Sequence, residues 1–373
     1  MNNTVKNNED GMLGTSNDED YFFNQGLSHD ENNNYKEAAE AYRKAIEIKN
    51  DYPEVHFKLG VALGELQLRD DAIKEYMNEL QINPKNYKAL NNLGTINCDM
   101  DRMEDGIECF KKAIEINPSH TKAHINLFFT YGEIDRFENA LEQADFLIEI
   151  KPADTDYHYY RGLILGRMGE YGKAITEFEI SLQLKPDNAE AYVGIGMSHD
   201  ALKNPLKAKT AFNKARLVEP NNFDAILKYG VICEQLGEVR KTIDAYKKAI
   251  FIKPDDIDVH TQLAELYDKW GYRENAEEYF RTMTNMKPVT ADDYYNIAWA
   301  HYELKEYGKM IWNLNHVMEM ESWTGVYYGL SLAYLYNGDK ITAQNYYRQL
   351  QFMDKDMAEE LEVIIRNHVQ EDT

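Results

Sequence analysis

Lysine and asparagine recur as pairs in consecutive segments of this 373-residue chain. Lys88 precedes Asn92 by four residues, Lys122 precedes Asn126 by four residues, and a further lysine, Lys58, lies upstream of both pairs. Residues four apart lie on the same face of a helix, so each pair would project together. Lysine supplies a positive charge, and asparagine supplies both a donor and an acceptor. This combination suits the carboxylates or the backbone amides of a bound peptide.

Aromatic residues form two further groups with the chemistry of a binding surface. Tyr295, Trp299 and Tyr302 are four and three residues apart, which places them on one face of a helix. Such rings are over-represented at binding hot spots; the alternative is that the end of the fold buries them. The complete set is Tyr295, Trp299, Tyr302, Tyr328 and Tyr336 near the C-terminus, with Phe129, Tyr159 and Tyr160 nearer the middle.

Acidic residues recur at intervals of 34 residues, at Asp156, Glu190, Asp224, Asp258 and Asp292. One interpretation is that they form a row that attracts a basic peptide. The other is that they lie in the first turns of helices, where an acid interacts favourably with the helix dipole.

The same 34-residue period governs the residues that must position these side chains. Proline recurs at Pro84, Pro118, Pro152, Pro186, Pro220, Pro254 and Pro288. If each proline is position 32 of a repeat, then glycine recurs at position 8, alanine at position 20 and an aromatic residue at position 24, as in Gly60, Ala72 and Tyr76. Small residues let two helices approach closely, the aromatic ring would fill the space between repeats, and proline ends a helix. The period predicts an array of helix-turn-helix repeats.

The segments 35–45 (YKEAAEAYRKA) and 89–94 (ALNNLG) resemble tetratricopeptide (TPR) repeats. The resemblance implies an all-α TPR α-solenoid, a right-handed superhelix of about ten repeats with a C-terminal capping helix. The predicted repeats are 19–52, 53–86, 87–120, 121–154, 155–188, 189–222, 223–256, 257–290, 291–323 and 324–357.

The resemblance also implies where a ligand would bind. In TPR proteins the first helix of each repeat lines a concave groove, through repeat positions 2, 5, 6, 9, 12 and 13. The candidate groove residues at these positions are Lys58, Lys88, Asn92, Lys122, Asn126, Phe129, Tyr159, Tyr160, Tyr295, Asn296, Trp299, Tyr302, Tyr328 and Tyr336.

The two ends of the chain differ from the repeats. Residues 1–18 are rich in asparagine and acids, and we expect them to be disordered. Residues 358–373 are expected to form a capping helix and tail, because Met357, Leu361, Ile364 and Ile365 fall on one helical face.

Composition excludes several classes of partner. The chain has 64 acidic residues against 41 lysines and arginines, a net charge of −23. Nucleic-acid binding requires a basic surface, so it is not expected. The charge would attract basic segments, or it serves only solubility. No stretch of 18 apolar residues occurs, so membrane insertion is not expected. Three cysteines without a CxxC spacing suggest reduced thiols in the cytoplasm.

Catalytic motifs are missing from the sequence, and the histidines do not have metal-ligand spacing. His56, His124, His158 and His260 all occupy repeat position 4, which is typical of packing residues. We therefore expect no enzyme activity, no cofactor and no metal. The sequence predicts a protein-binding scaffold or adaptor that holds an extended peptide or a helix in its groove. Two alternatives remain open: a targeting or regulatory subunit of a separately encoded enzyme, and a self-assembling structural array.

Overall fold

A computed structural model of the protein describes residues 18–321 and 323–371, with side chains up to residue 367. Apart from Asp18, the tail predicted to be disordered lies outside these residues. The described residues form helices and no strands, so the prediction of an all-α solenoid is confirmed. The helices are α1 (Asp18–Glu31), α2 (Tyr35–Ile48), α3 (Val55–Glu65), α4 (Arg69–Ile82), α5 (Tyr87–Asp99), α6 (Met103–Ile116), α7 (Thr121–Glu133), α8 (Phe137–Ile150), α9 (Thr155–Arg167), α10 (Tyr171–Leu184), α11 (Ala189–Ala201), α12 (Pro205–Val218), α13 (Phe223–Gln235), α14 (Val239–Ile252), α15 (Ile257–Lys269), α16 (Arg273–Met283), α17 (Ala291–Glu303), α18 (Tyr307–Met320), α19 (Thr324–Tyr336), α20 (Lys340–Met353) and α21 (Lys355–Glu371).

Each odd-numbered helix up to α19 packs against the even-numbered helix that follows it, and together they make one helical hairpin. We call these the first and second helices of a repeat. Backbone contacts divide the chain into two compact units, Met1–Pro186 and Asp187–Thr373. Within each unit, neighbouring first helices also touch, namely α3 with α5, α5 with α7, α11 with α13, and α15 with α17. The first helices therefore lie side by side, and their exposed residues form one face of each unit.

In six of the ten hairpins the core is built on a glycine and an aromatic ring of the same repeat. The glycine at position 8 of the first helix lies directly under the ring at position 24 of the second helix, as in Gly60 beneath Tyr76 and Gly196 beneath Phe212. The ring was expected to fill the space between repeats, and Tyr42 does share a buried cluster with Val55 and Leu59 of the next repeat. The ring also packs within its own hairpin, against the glycine. Alanines at position 20, including Ala72, are fully buried beside it.

The loops have a regular structure that follows the repeat. Six second helices end two residues before the periodic proline, as α4 does before Pro84, because the residue before a proline avoids helical angles, whereas α16 ends at Met283, five residues before Pro288. A residue at position 34 then caps the next first helix, where the side chains of Asn86, Asn188, Asn222 and Asp256 accept a backbone N–H. Such a cap stabilises a helix by about 1 kcal/mol.

The last helix, α21, covers the end of the C-terminal unit. It begins at Lys355, and the carboxylate of Asp354 accepts the N–H of Met357 at 3.0 Å. Ala358 and Leu361 are buried against Leu332 and Leu350. Because α21 shields apolar side chains of α19 and α20, it acts as the capping helix that a solenoid end needs.

Candidate functional site

The lysines predicted to line the groove lie on first helices of the N-terminal unit. Lys58 on α3 is half-buried, whereas Lys88 on α5 and Lys122 on α7 are exposed. None of them forms an ion pair with a residue that the structure describes. Burial lowers the pKa of His120, and the charges of Lys122 and Lys88 lower it further. Lys88 and Lys122 occupy equivalent positions near the starts of α5 and α7, and these two helices touch, so a ligand carboxylate at this point could meet two positive charges.

The asparagines of the same face belong to a hydrogen-bond network that joins α4, α5 and α7. The Nδ2 of Asn126 donates to Oδ1 of Asn91 at 3.1 Å and to the hydroxyl of Thr95 at 3.2 Å. Asn91 donates to Asn92 at 3.3 Å, and Asn92 donates to the hydroxyl of Tyr76 at 3.3 Å. The network fixes the amides before any ligand binds, and such preorganisation reduces the cost of binding.

Sequence reasoning missed Asn91 and Thr95 as members of this face. They occupy repeat positions 5 and 9, which the resemblance assigns to the groove, so their positions were a usable signal. Asn91 is buried and Thr95 is exposed. Asn91 thus connects neighbouring first helices, and Thr95 lies where a ligand could reach it.

The middle aromatic group consists of Phe129, Tyr159 and Tyr160, and its rings contact each other in pairs. The rings of Phe129 on α7 and Tyr160 on α9 meet edge to face with centroids 5.0 Å apart, and Phe129 is 42% exposed. Tyr159 lies 6.0 Å from Tyr160 but also packs 5.8 Å from Phe178, the position-24 ring of its own repeat. Phe129 is the exposed ring of this group, whereas Tyr159 and Tyr160 are both half-buried and Tyr160 also lies 5.6 Å from the buried ring of Phe128.

The C-terminal aromatic candidates form a continuous cluster across α17 and α19. Trp299 lies 6.1 Å from Tyr295, 5.3 Å from Tyr302 and 6.3 Å from Tyr328, and Tyr302 lies 5.9 Å from Tyr336. All five rings are half-buried, partly against the capping helix α21. Burial raises the pKa of Tyr295, Tyr302 and Tyr328 above the ordinary tyrosine range. The hydroxyls therefore stay protonated as neutral donors at ordinary pH.

Asn296 is separate from the asparagine network, because it belongs to the C-terminal unit. Its Nδ2 donates to Oδ1 of Asp258 on α15 at 2.8 Å. Partial burial raises the pKa of Asp258, and the charges of Asp256, Asp293 and Asp292 raise it further. Four of the predicted position-2 acids belong to this unit and are exposed, so negative charge accumulates on its first helices; they are Glu190, Asp224, Asp258 and Asp292.

The position-4 histidines are occupied by contacts within the fold. His56, His124 and His260 are buried, and each places Nε2 2.9–3.0 Å from a backbone carbonyl six residues earlier, those of Asn50, Pro118 and Pro254. The Nδ1 of His56 meets Glu75 at 2.5 Å, and that of His158 meets Glu177 at 2.8 Å. Within the described ranges no group of three or more histidine, cysteine or acidic side chains could hold a metal ion. In the same ranges no helix is long and apolar enough to cross a membrane.

Comparisons with known proteins agree with this architecture. A TPR repeat model matches residues 26–67, and tetratricopeptide repeat models match residues 87–120, 155–188, 189–222 and 257–290. The last four ranges have the same bounds as four of the repeats derived from the proline period. No curated protein matches the chain.

Several solved structures are similar to the chain. The C-terminal part of a TPR repeat-containing protein from Cytophaga hutchinsonii is 20% identical with a TM-score of 0.55, over 64% of this chain and 97% of that one. A tetratricopeptide repeat protein from Parabacteroides merdae is 18% identical with a TM-score of 0.49, over 66% and 98%. The MamA protein is 27% identical with a TM-score of 0.42, over 45% and 92%. The family matches and the helical solenoid show that this chain belongs to the tetratricopeptide repeat family.

Proposed function

We propose that the chain is a non-catalytic scaffold or adaptor that binds an extended peptide or a helix of a partner protein on the faces formed by its first helices. The TPR fold is an interaction module, which supports a protein partner in general. The proposal that the ligand is a peptide or a helix on the first-helix faces depends on which side chains those helices expose. In the N-terminal unit these are two lysines that form no ion pair with any described residue, beside a network of hydrogen-bonded amides, and in the C-terminal unit they are aromatic rings beside acidic residues.

The observation that carries the proposal is the arrangement of Lys88 and Lys122. The two residues are 34 positions apart in the sequence, yet both lie in the first turns of first helices that contact each other, α5 and α7. Like charges on neighbouring helices, with no ion-pair partner among the described residues, favour an anionic ligand group. A peptide segment that presents a carboxylate, with backbone amides next to Asn126 and Thr95, would satisfy this surface.

A site-specific cross-linking experiment tests the proposed binding face. The photoreactive residue p-benzoylphenylalanine is introduced at Phe129 on first helix α7, where it keeps an aromatic ring and both lysines, or, as a control, at Lys173 on second helix α10. Both positions are exposed and lie in the N-terminal unit. In the native cells we expect a reproducible cross-linked partner from position 129 and none from position 173. Cross-links confined to position 173 would place binding on the second helices and contradict the proposal.

A further inference from the structure

A cleft of about 230 Å³ opens between α15 and α17 in the C-terminal unit. The buried side chains of Phe280 and Met283, from α16, give it an apolar lining. Trp299 and Glu265 contribute an aromatic ring and a carboxylate to the same cleft. This combination of an apolar surface, a ring and a charge is typical of a small recognition pocket.

Among the acidic residues that line this cleft, Glu265 is the one that forms no ion pair with a described residue. Asp268 and Glu303 also line the cleft, but Arg273 pairs with both, at 2.7 Å and 2.9 Å respectively. Glu265 has neither an ion pair nor a hydrogen bond with any residue in the described ranges, although Lys269 lines the same cleft. Its side chain is therefore available to a ligand.

The surroundings of Glu265 are also negative. Three carboxylates line the cleft, those of Glu265, Asp268 and Glu303, against one lysine, Lys269, and Arg273 pairs with only two of the three. Partial burial also raises the pKa of Glu265. A positive charge that enters the cleft would offset the excess of acids, whereas an anionic group would add to it. Charge complementarity therefore selects a cationic occupant.

The indole of Trp299 is held in place on the other side of the cleft. Contacts with Tyr295, Tyr302 and Tyr328 restrict its orientation. A cation within about 6 Å of a tryptophan ring is attracted by the electrons of its face. Arginine and lysine join a cationic head to an apolar stem, which matches the lining of the cleft.

We propose that this cleft binds one arginine or lysine side chain of the partner peptide, with Glu265 and Trp299 as the contacting residues. The inference rests on the proposed function, because it assigns a pocket to the peptide that the first helices bind. It adds the chemical class of one ligand residue, which the face alone does not specify.

Fluorine NMR of the full chain labelled with 5-fluorotryptophan tests the pocket directly. The chain has four tryptophans, and the Trp299→Phe variant identifies the signal of Trp299. The probe is the tripeptide acetyl-Gly-Arg-Gly-amide, and its neutral control replaces arginine with citrulline. We expect the arginine peptide to shift the Trp299 signal in a saturable way and the citrulline peptide to leave it unchanged.

Two variants of the same type decide the role of the carboxylate. Glu265→Gln should weaken the arginine peptide by about five-fold or more, because the unpaired charge is lost. Glu278→Gln, an exposed position on α16 outside the cleft, should bind as the wild type does. If both peptides shifted the Trp299 signal equally, or if both variants bound the arginine peptide with equal affinity, the proposed pocket would be wrong.

Failure of the pocket can be told apart from failure of the proposed function. If a partner cross-links at position 129 while the arginine peptide leaves Trp299 unaffected, the binding face stands and the pocket is wrong. If the arginine peptide binds at Trp299 while the partner cross-links only at position 173, the pocket stands and the binding face is wrong.

Discussion

The ring of Phe110 covers the Cα of Gly94 so closely that a methyl group added to the glycine would lie 2.6 Å from Cε1 of the ring. Both residues belong to one hairpin, Gly94 on α5 and Phe110 on α6. Real carbon atoms do not approach this closely, so the hairpin would have to open. The glycine is needed for space at the contact between its two helices.

Gly94→Ala should therefore destabilise the protein by about 1–3 kcal/mol, the usual cost of overpacking a core. Gly166→Ala is the matched control, since Gly166 is also helical but an added methyl group there would meet no atom within 4 Å. The control should be neutral or stabilising by up to about 1 kcal/mol, because alanine favours helix more than glycine does. Urea unfolding measures both changes, and similar losses in the two variants would contradict the packing argument.

A second glycine depends on a different neighbour. Gly106 occupies position 20, where most repeats have alanine, and an added methyl group would collide with Sγ of Cys98. Gly106→Ala should destabilise the protein, and Cys98→Ala in the same chain should restore part of the loss, because the carbonyl oxygen of Gly94 would still lie 3.0 Å from the added methyl group. The coupling between the two changes should be about 0.5–3 kcal/mol, as for residues in direct contact. Additive effects in a double-mutant cycle would show that the two sites do not share this space.

The fold could be predicted because packing residues such as Gly94 and Phe110 carry the period. The turn between the helices of a hairpin could not. Position 15 has a left-handed backbone in all ten repeats, yet it is glycine only at Gly169, Gly237, Gly271 and Gly338. The other six are Asn33, Gln67, Asp101, Asp135, Lys203 and Lys305, with φ between 57° and 61°. Side chains other than glycine give little signal for this conformation.

The candidate site, like the fold, could be predicted only in part. Helical spacing identified which side chains share a face, such as Trp299 with Tyr295 and Tyr302. It could not identify their partners on other helices. The bond from Asn126 to Asn91 joins residues 35 positions apart and depends on how α5 and α7 are rotated against each other.

The capping helix provides a third prediction. Leu361 is fully buried, whereas Val363 on the same helix is 57% exposed. Leu361→Asp places a charge in an apolar contact, so it should detach α21, lower the melting temperature and promote aggregation. Val363→Asp should leave both properties near those of the wild type. Light scattering after size exclusion measures the outcome, and a monomeric, fully stable Leu361→Asp variant would contradict the capping role.

Two buried histidines should respond to pH in opposite directions. The hydrogen bond with Glu75 raises the pKa of His56, whereas burial lowers the pKa of His260. The stability that protonated His56 contributes is present below its unfolded pKa of about 6.5 and is lost as pH rises through its folded pKa. Neutral His260 is favourable at high pH, and its contribution is lost as pH falls below about 6.5.

The variants His56→Gln and His260→Gln test this difference in sign. Melting temperatures are compared at about pH 5.5 and about pH 8, on either side of the ordinary histidine pKa. The loss caused by His56→Gln should be larger at the lower pH, and the loss caused by His260→Gln should be larger at the higher pH. The same pH trend in both variants would show that the Glu75 hydrogen bond and the burial of His260 do not control the protonation of the two histidines.

The central claim is that partners bind to the first helices, and titration of the cross-linked partner against paired variants tests it most directly. Lys88→Ala with Lys122→Ala is compared with Lys74→Ala with Lys173→Ala, whose exposed lysines lie on second helices. Trp299→Ala is compared with Trp312→Ala, a 57% exposed tryptophan on α18. Thermal melting establishes that each variant is folded.

We predict that the double variant Lys88→Ala with Lys122→Ala binds the partner more weakly than the wild type does. The loss should be larger at low salt, because ions screen exposed charges at high salt. Trp299→Ala should cost about 2 kcal/mol or more with little salt dependence, and both control variants should bind normally. Normal binding by the first-helix variants, with loss of binding in the second-helix controls, would contradict the account.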